Sequence, residues 1–516
     1  MSILIGIDVG TSGVKALAID ATAGHTLAAA THELDLETPH PGWAEQEPEH
    51  YRAAARAALA EVATRLGPRR REVRGIGLTG QMHTAVVLDA ERRVLRKAIL
   101  WCDTRTTAAC AGIEQALGRE GLRRHVGNLA LEGFTLPKLL WLARHEPELW
   151  SRVALVLMPK DYVGLTLTGE VGTDDSDASG TLAFDSAARA WSEPVLRAVG
   201  VSRDLFPAAG PSTAVLGTLR EAVARDVGLP AGIPVARGAA DNAAAAAGLG
   251  VVRDGRAMAS LGTSGVVLVH TDRHVVEPEM RLHSFCHAVE ARYYLMGVML
   301  AAGGALRWYR DTLCDGEKLA AELRHADPYE LISEAASTSR PGAGGVVFLP
   351  YLMGERTPHN DAHARGAFVG LTARTTKADV SRAVLEGVSY GLADSLSLVR
   401  ELAAAGTAPA PTEVRLTGGG ARSPFWRRLL CDVLEASVCL TSSTEGPSYG
   451  AALCAGVAAD CFASLPEAAD ALVHVTSRLE PEPSLSARYR DSAAVYRALY
   501  HDLAARFREL GGIDAS

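Results

Sequence analysis

A chain of 516 residues, 48% hydrophobic and 22% charged, is composed like a globular protein, and its length asks for roughly two to four domains rather than one core. A formal net charge of −8 gives no basic footprint for nucleic acid, and no stretch of about eighteen uninterrupted apolar residues is present to cross a membrane as a helix. Eight cysteines without a CxxC spacing favour free thiols in a reducing compartment over a disulfide framework, so the expected location is the cytoplasm.

The opening Met-Ser-Ile-Leu-Ile-Gly-Ile-Asp has no basic run ahead of its apolar residues and reads as a first strand, not a signal peptide. Strands are expected at Ile3–Val9 and Val14–Ile19, a helix at Pro48–Leu66, and strands at Val73–Thr79 and Ala85–Leu88. The basic cluster Arg69–Arg71 with Arg74 precedes one of these strands and reads as a solvated turn. A helix follows from Thr104, another lies around Pro137–Arg144, and an apolar run occupies Val153–Leu157. This alternation argues for α/β layering. Turn signals gather at 201–240, and the Ala-rich run Asp241–Gly248 is a helical candidate for the interdomain junction. Beyond it come apolar runs at Ala257–Leu261 and Val266–Val269, a long helical pattern at Lys377–Leu402, a strand at Glu413–Thr417 with a Gly-rich turn, and a terminal helix at Arg488–Leu510. The expected organisation is two lobes of similar size, 1–248 and 249–516, with a cleft between them.

The pentapeptide Gly-Thr-Ser-Gly-Val occurs at Gly10–Val14 and again at Gly262–Val266, each time between two strand-like runs. Small-residue turns expose backbone N–H groups and admit an anion closely, so two such turns facing each other would grip a polyphosphate from both sides. Asp8 closes the first strand beside the first turn. It would either direct a carboxylate into the phosphate site, where Mg²⁺ makes negative charge tolerable, or serve as an Asx-type turn residue. No Gly-x-x-x-x-Gly-Lys-[Ser/Thr] segment is present, so the phosphate turn is not a P-loop. Gly418-Gly-Gly-Ala421 follows a strand and is expected to open a helix, where a purine or ribose would lie against bare backbone. His283 and His287 bracket Ser-Phe-Cys with an i,i+4 spacing, but the neighbouring strand-like run at Tyr293–Val298 and the lack of further ligands argue against a metal site. Lys138 and Trp141 have helical spacing among apolar neighbours and read as scaffold.

A phosphate turn that joins two strands resembles the actin, hexokinase and heat-shock ATPase superfamily. That resemblance implies an α/β, two-lobed, ribonuclease H-like fold, each lobe a mixed sheet flanked by helices, with an interdomain cleft. Gly133-Phe-Thr-Leu-Pro-Lys-Leu-Leu-Trp-Leu-Ala-Arg-His145 resembles the first pattern of the FGGY carbohydrate kinases, and Gly366-Ala-Phe-Val-Gly-Leu371 through Asp379-Val-Ser-Arg-Ala-Val-Leu-Glu386 resembles the second. Within that family, Gly80-Gln-Met-His83, Met158-Pro-Lys-Asp-Tyr162, His283-Ser-Phe-Cys-His287 and Gly354-Glu-Arg-Thr-Pro-His359 are similar to the branch that phosphorylates xylulose. Matching segments run from residue 3 to about 460.

The resemblance implies ATP and Mg²⁺ as co-substrate and cofactor, a small ketose as acceptor, and a homodimer as a plausible assembly. It places the catalytic base at Asp241, a position that on local grounds reads as a helix N-cap. Asn242, Met82 and His83 would bind the sugar, and Thr11, Ser12, Gly262 and Thr263 the phosphates. Gly419 and Gly420 would lie against the nucleotide, with Trp308 and Ser423 near adenine and Asp8 at the metal. Thr84 stands where the family has Gly, and Ala239-Ala240 where it has Gly-Gly, so extra side chains are expected beside the sugar. Two alternatives remain: a kinase of the same family acting on another ketose or polyol, such as ribulose, and an actin-like or chaperone-like ATPase with protein partners.

Overall fold

The computed structural model describes residues 2–514, with Asp514 described by its backbone alone. Two seven-stranded mixed sheets dominate, and they repeat one topology. In the first, strand Ile3–Val9 pairs antiparallel with Gly13–Asp20 and parallel with Val73–Gly80. In the second, Arg256–Leu261 pairs antiparallel with Gly265–Thr271 and parallel with Glu413–Thr417. Each sheet adds a third antiparallel strand outside the hairpin, Thr26–Glu33 in one and Tyr293–Met299 in the other. The likeness of the halves thus extends well past the repeated pentapeptide, which forms the hairpin turn in both sheets.

Alternation along the first strand explains how its polar end is aimed. Ile3, Ile5, Ile7 and Val9 pack in the core shared with Tyr51, Ala55, Leu59 and Val62 of helix Pro48–Leu66. Leu4, Gly6 and Asp8 therefore face the opposite side of the sheet. That side is covered by helix Pro447–Ala458, contributed by the second half of the sequence. The helix lies so close that a Cβ on Gly6 would stand 1.8 Å from Ser448 O, and one on Gly77 would stand 1.8 Å from Ala451 O. Helix Asp241–Gly248 crosses the same helix at Gly450, where a Cβ would meet Ala244 O at 1.8 Å. These two helices join the halves through small residues and direct backbone contact.

Several expected elements appear with their expected bounds, among them Pro48–Leu66, Asp241–Gly248 and Glu413–Thr417. Others shift. The helix expected from Thr104 begins at Thr107, and the terminal helix runs Pro483–Asp514. Gly418–Ala421 does not open a helix directly: a 3-10 turn at Gly419–Arg422 intervenes, and the α-helix is Pro424–Leu434, capped by Ser423. No helix among the described residues is long and apolar enough to cross a membrane, and all eight cysteines are free.

Candidate active site

Asp241 opens onto a cavity of about 260 Å³ whose walls come from both halves of the molecule. Met82, His83, Phe134, Asp241 and Asn242 belong to the first half, and Ser260, Ser264, His283, Met296 and Arg356 to the second. Asp241 is the first residue of its helix; Ala240 holds the cap position, so Asp241 is not the N-cap that local pattern suggested. Its Oδ1 accepts from Asn242 N at 2.7 Å and from Asn242 Nδ2 at 2.9 Å. The backbone just before it is fixed from behind. Ala240 N donates to Ser176 Oγ at 2.9 Å, Ser176 Oγ donates to Asp174, and Asp174 pairs with the buried Lys160 at 3.0 Å.

Burial, with a smaller contribution from the nearby Asp8 charge, pushes the Asp241 carboxyl up to about 7. Burial likewise raises Asp8 to about 6, against the opposing pull of Lys15. Two carboxyls that disfavour each other's ionisation at a cleft are the arrangement in which one can act as a base near neutral pH. Asp8 Oδ1 is buried and accepts no hydrogen bond among the described residues, so it does not form the Asx-type turn considered as an alternative. An orphaned carboxylate oxygen with a second carboxyl close by is a donor set suited to a hard divalent cation that keeps most of its water.

His83 sits at φ 68° in the centre of a three-residue turn closed by Thr84 N donating to Met82 O at 2.8 Å. That backbone region is unfavourable for a residue with a Cβ, and three contacts hold it. His83 O accepts from Lys138 Nζ at 2.8 Å and from Thr135 Oγ1 at 3.0 Å, and His83 Nδ1 donates to Gly180 O. Because a carbonyl only accepts, Nδ1 carries the ring proton, and burial keeps the ring neutral by pushing its pKa down to about 3. Nε2 is thereby left as an acceptor. Lys138, fully buried and also bound to Gly133 O at 2.6 Å, is the clamp of this turn, which gives physical content to its reading as scaffold. For the sugar and ATP that the resemblance implies, Lys138→Met should raise the KM for the sugar about tenfold and leave the KM for ATP unchanged, because it frees the His83 turn without touching the second hairpin; steady-state kinetics with each substrate varied would check this.

A second cavity, about 920 Å³, gathers Gly262 and Thr263 of the second hairpin, Gly419, Gly420, Arg422 and Ser423 around the Gly-rich turn, and Arg307. The hairpin is the wall between the two cavities. Ser260 and Ser264 face the Asp241 side, whereas Leu261, Gly262 and Thr263 face the other. Its position is set by helix Gly303–Leu313, whose first residues donate to it: Gly303 N to Gly262 O at 2.8 Å and Gly304 N to Thr263 O at 2.9 Å. A Cβ on Gly303 would lie 2.5 Å from Gly262 O. Gly303→Ala should keep the helix, since Ala is the better helix former, yet push the wall and raise the KM for the ATP that the resemblance implies about tenfold or more. Far-ultraviolet circular dichroism beside ATP kinetics separates the two effects.

The structure brings together most, not all, of the residues singled out in the sequence. Thr11 and Ser12 form the first hairpin but line neither cavity; Thr11 Oγ1 accepts from Trp101 Nε1 at 2.9 Å, and Trp101 lines the Asp241 cavity. Trp308 stacks on Phe348 with ring centroids 6.1 Å apart and packs on the second core, and it does not line the larger cavity, although its neighbours Leu306 and Arg307 do. Ser423 lines that cavity while bonding Ser333 Oγ at 2.6 Å and capping its helix through Trp426 N at 3.2 Å. Thr84 and Ala239-Ala240 were expected beside the sugar; all three are buried and line neither cavity, and the Thr84 hydroxyl donates instead to Gln81 Oε1 at 3.0 Å. His283 lies on strand His283–Cys286, and His287 just past it accepts from Val289 N through Nδ1. The one group of three metal-ligand side chains among the described residues is Asp254, His270 and Asp272, which includes neither, and its Asp272 is already bound by Arg292 at 2.8 Å. Sequence reasoning assigned no role to Arg356 or Phe134, although both lie in segments it had marked.

Comparison with known proteins agrees with this geometry. The profile of the N-terminal domain of the FGGY family of carbohydrate kinases matches residues 3–248, and that of the C-terminal domain matches residues 257–459. The xylulose kinase of Escherichia coli K12 is 42% identical over 500 residues, covering 97% of this chain and 99% of the relative; that of Klebsiella pneumoniae is 43% identical over 455 residues, covering 88% and 89%. Among solved structures, a xyloylose kinase from Brucella ovis superposes with a TM-score of 0.88 at 38% identity over 98% of this chain and 99% of its own. The xylulose kinase of Rhodospirillum rubrum gives 0.88 at 31% identity, covering 98% and 100%. With both domain profiles matched in order and full-length relatives well above 30% identity, the chain belongs to the FGGY family of carbohydrate kinases.

Proposed function

We propose that the protein transfers the γ-phosphoryl group of ATP to the C5 hydroxyl of D-xylulose, giving D-xylulose 5-phosphate and ADP. The observation that carries this reading is the shared wall. A carboxyl poised near pH 7 stands in a sugar-sized cavity on one side of the second glycine hairpin, and a cavity large enough for a nucleotide opens on the other. The names of the relatives supply the sugar.

In this mechanism Asp241 accepts the proton of the C5 hydroxyl as that oxygen bonds to the γ-phosphorus, while the bond to the β-phosphate oxygen breaks and ADP leaves. Asn242 orients the carboxylate. Gly262 and Thr263 hold phosphate oxygens through backbone and hydroxyl donors, with Arg307, whose Nη2 reaches Thr263 Oγ1 at 3.3 Å, in support. Thr11 and Ser12 meet the phosphates from the first hairpin once the lobes close, and Gly419, Gly420 and Ser423 border the nucleoside. Trp308, partly exposed beside Arg307, would present its face or edge not used by Phe348 to adenine. Asp8 would hold Mg²⁺, which when bound neutralises charge on the phosphates. The closed cleft excludes water, the competing acceptor. A cytoplasmic setting suits eight free cysteines and an ATP-consuming reaction.

The test is ADP release by purified protein with Mg·ATP, first without sugar and then with D-xylulose, D-ribulose and L-ribulose separately. Strong stimulation by D-xylulose alone is the expected result. Preference for a ribulose would keep the kinase and change its sugar, and hydrolysis indifferent to every sugar would overturn the assignment.

A further inference from the structure

The sugar cavity has an uneven hydrogen-bonding inventory. Asp241 is an acceptor. His83 Nε2 is an acceptor because Nδ1–H is spent on Gly180 O. His283 is in the same condition: its Nδ1 faces Asn128 Oδ1 at 3.1 Å, and that oxygen also accepts from Ser284 N while Asn128 Nδ2 donates to Val126 O and Ser284 O. Nδ1 of His283 therefore holds the proton and Nε2 accepts. Asn242 Nδ2 donates to Asp241 Oδ1 and to Met82 Sδ. The Ser260 and Ser264 hydroxyls can donate or accept, Trp101 Nε1 is spent on Thr11, and one lining side chain is a cation that only donates.

Arg356, from the second half, lines this cavity, and its guanidinium makes no hydrogen bond and no ion pair among the described residues. The carboxyls whose charge reaches it form no ion pair with it, although Glu355 Oε2 is buried without a hydrogen-bond partner among the described residues. Glu355 Oε1 accepts from Leu300 N at 2.9 Å and from Arg356's own N at 2.8 Å, and burial lifts this carboxyl to about 8, leaving it neutral at pH 7. Glu132 accepts from Thr107 Oγ1 at 3.1 Å. Arg356 acts on His83 and His283, whereas the neighbours that act on Asp241 are Asp8 and Asn242. The guanidinium thus shares the cavity with the two imidazoles as well as with Asp241.

A cation held this way in a half-dry cavity lacks an acceptor that a ligand can provide. Hydroxyl groups satisfy the three acceptors by donating; an oxygen that can only accept satisfies the arginine. The matching ligand carries several hydroxyls and one carbonyl, distinct from the hydroxyl offered to Asp241. A 2-ketopentose closes its five-membered ring through O5, so a sugar phosphorylated at O5 must present that oxygen free and its C2 carbonyl open. We propose that Arg356 is the specificity-determining residue for the keto group, donating from its guanidinium to the C2 carbonyl oxygen of the open-chain sugar. This deepens the proposed function and rests on that reading.

The experiment measures, on the full chain, the KM for D-xylulose, the KM for ATP, and the competitive inhibition constant of D-arabinitol, the polyol with CHOH in place of the C2 carbonyl. Arg356→Met should raise the KM for D-xylulose about 100-fold, leave the KM for ATP within about twofold, and shrink the preference for ketose over polyol by at least about tenfold; Arg356→Lys, which keeps charge without the fork, should fall between. Unchanged melting temperature and ADP binding would certify the fold, and Arg356→Lys carries the test should the Met variant fail to fold. A KM for D-xylulose within about threefold of wild type, or equal weakening of ketose and polyol, would overturn the proposal. Wild-type protein that does not phosphorylate D-xylulose would instead remove the functional reading beneath it.

Discussion

Replacing Asp241 with Asn should lower kcat by about 1,000-fold or more and at the same time make the free protein more stable. The first effect follows from the role of proton acceptor: an amide of the same shape keeps the bonds from Asn242 but cannot take the proton of the attacking hydroxyl. The second follows from the cost of the site. Burial raises this carboxyl from 3.8 to about 7, so the folded state binds a proton that the unfolded chain has already lost. Stability contributed by that proton is complete below about pH 4 and is lost as pH rises through 7. At neutral pH and above, the ionised carboxylate then costs the fold at most about 4 kcal/mol, at about 1.4 kcal/mol per pH unit, and less where cavity water screens it. Asp241→Asn removes the charge and should raise the melting temperature at pH 8 while leaving it little changed at pH 4. A variant equally inactive but less stable at pH 8 would mean that the carboxylate is paired in a way the geometry does not contain.

The same pair sets the pH dependence. In the free enzyme kcat/KM should rise with pH along an acid limb near 7, reporting ionisation of the coupled carboxyls rather than of Asp241 alone. Asp8→Asn removes the like charge that disfavours ionisation of Asp241, so whatever activity remains should show its acid limb at lower pH. A limb that stays in place would disconnect the two groups.

How far these features could be read in advance depends on whether they are local. Pro48 just inside its helix with Gly67 just past it, and the Ala run behind Asp241, fixed their elements because the chain's own punctuation specifies them. The helix after Thr104 starts later because Asp103 and Arg105 are drawn into tertiary contacts: Asp103 accepts from Ala44 N at 2.6 Å and pairs with Arg105 at 2.6 Å, holding the segment as a turn. The helix after the Gly-rich turn could have been placed better, since Ser423-Pro424 is a cap followed by a first-turn proline. Asp241, Met82 and His83, which the structure brings to one cavity, stood out in the sequence because their neighbours resemble a family pattern. Thr84 and Ala239-Ala240 were misjudged because adjacency in sequence says nothing about which face a side chain takes in a turn or short strand. Arg356 was invisible as the proposed sugar ligand for a plainer reason: its distinction is that its guanidinium has no partner among the described residues, and no spacing encodes that.

The joint between the halves gives the other large expected effect. Gly450 lies inside helix Pro447–Ala458, where Ala would by propensity alone stabilise the helix by about 1 kcal/mol. Packing opposes this. A Cβ at Gly450 would stand 1.8 Å from Ala244 O and 2.6 Å from Ala244 C, backbone atoms that no rotamer change can clear. The same helix is pinned on its other side, where Gly6 and Gly77 rest on Ser448 O and Ala451 O, so it cannot back away from the new methyl. Overpacking of this kind should outweigh the propensity gain, for a net loss of about 3 kcal/mol and a melting temperature lower by about 3 °C. What yields is helix Asp241–Gly248, and its first residue is the proposed base. Gly450→Ala should therefore depress kcat at temperatures where the protein is still folded, because displacing Asp241 by even about 1 Å costs on the order of 100-fold. Gly112→Ala is the control: that glycine lies in helix Thr107–His125 with nothing within 4 Å of an added Cβ, and the substitution should be neutral or stabilising, with kcat unchanged. If Gly450→Ala melted and turned over like Gly112→Ala, the two helices would not be in the contact that places the base, and the link from this small-residue crossing to catalysis would be broken.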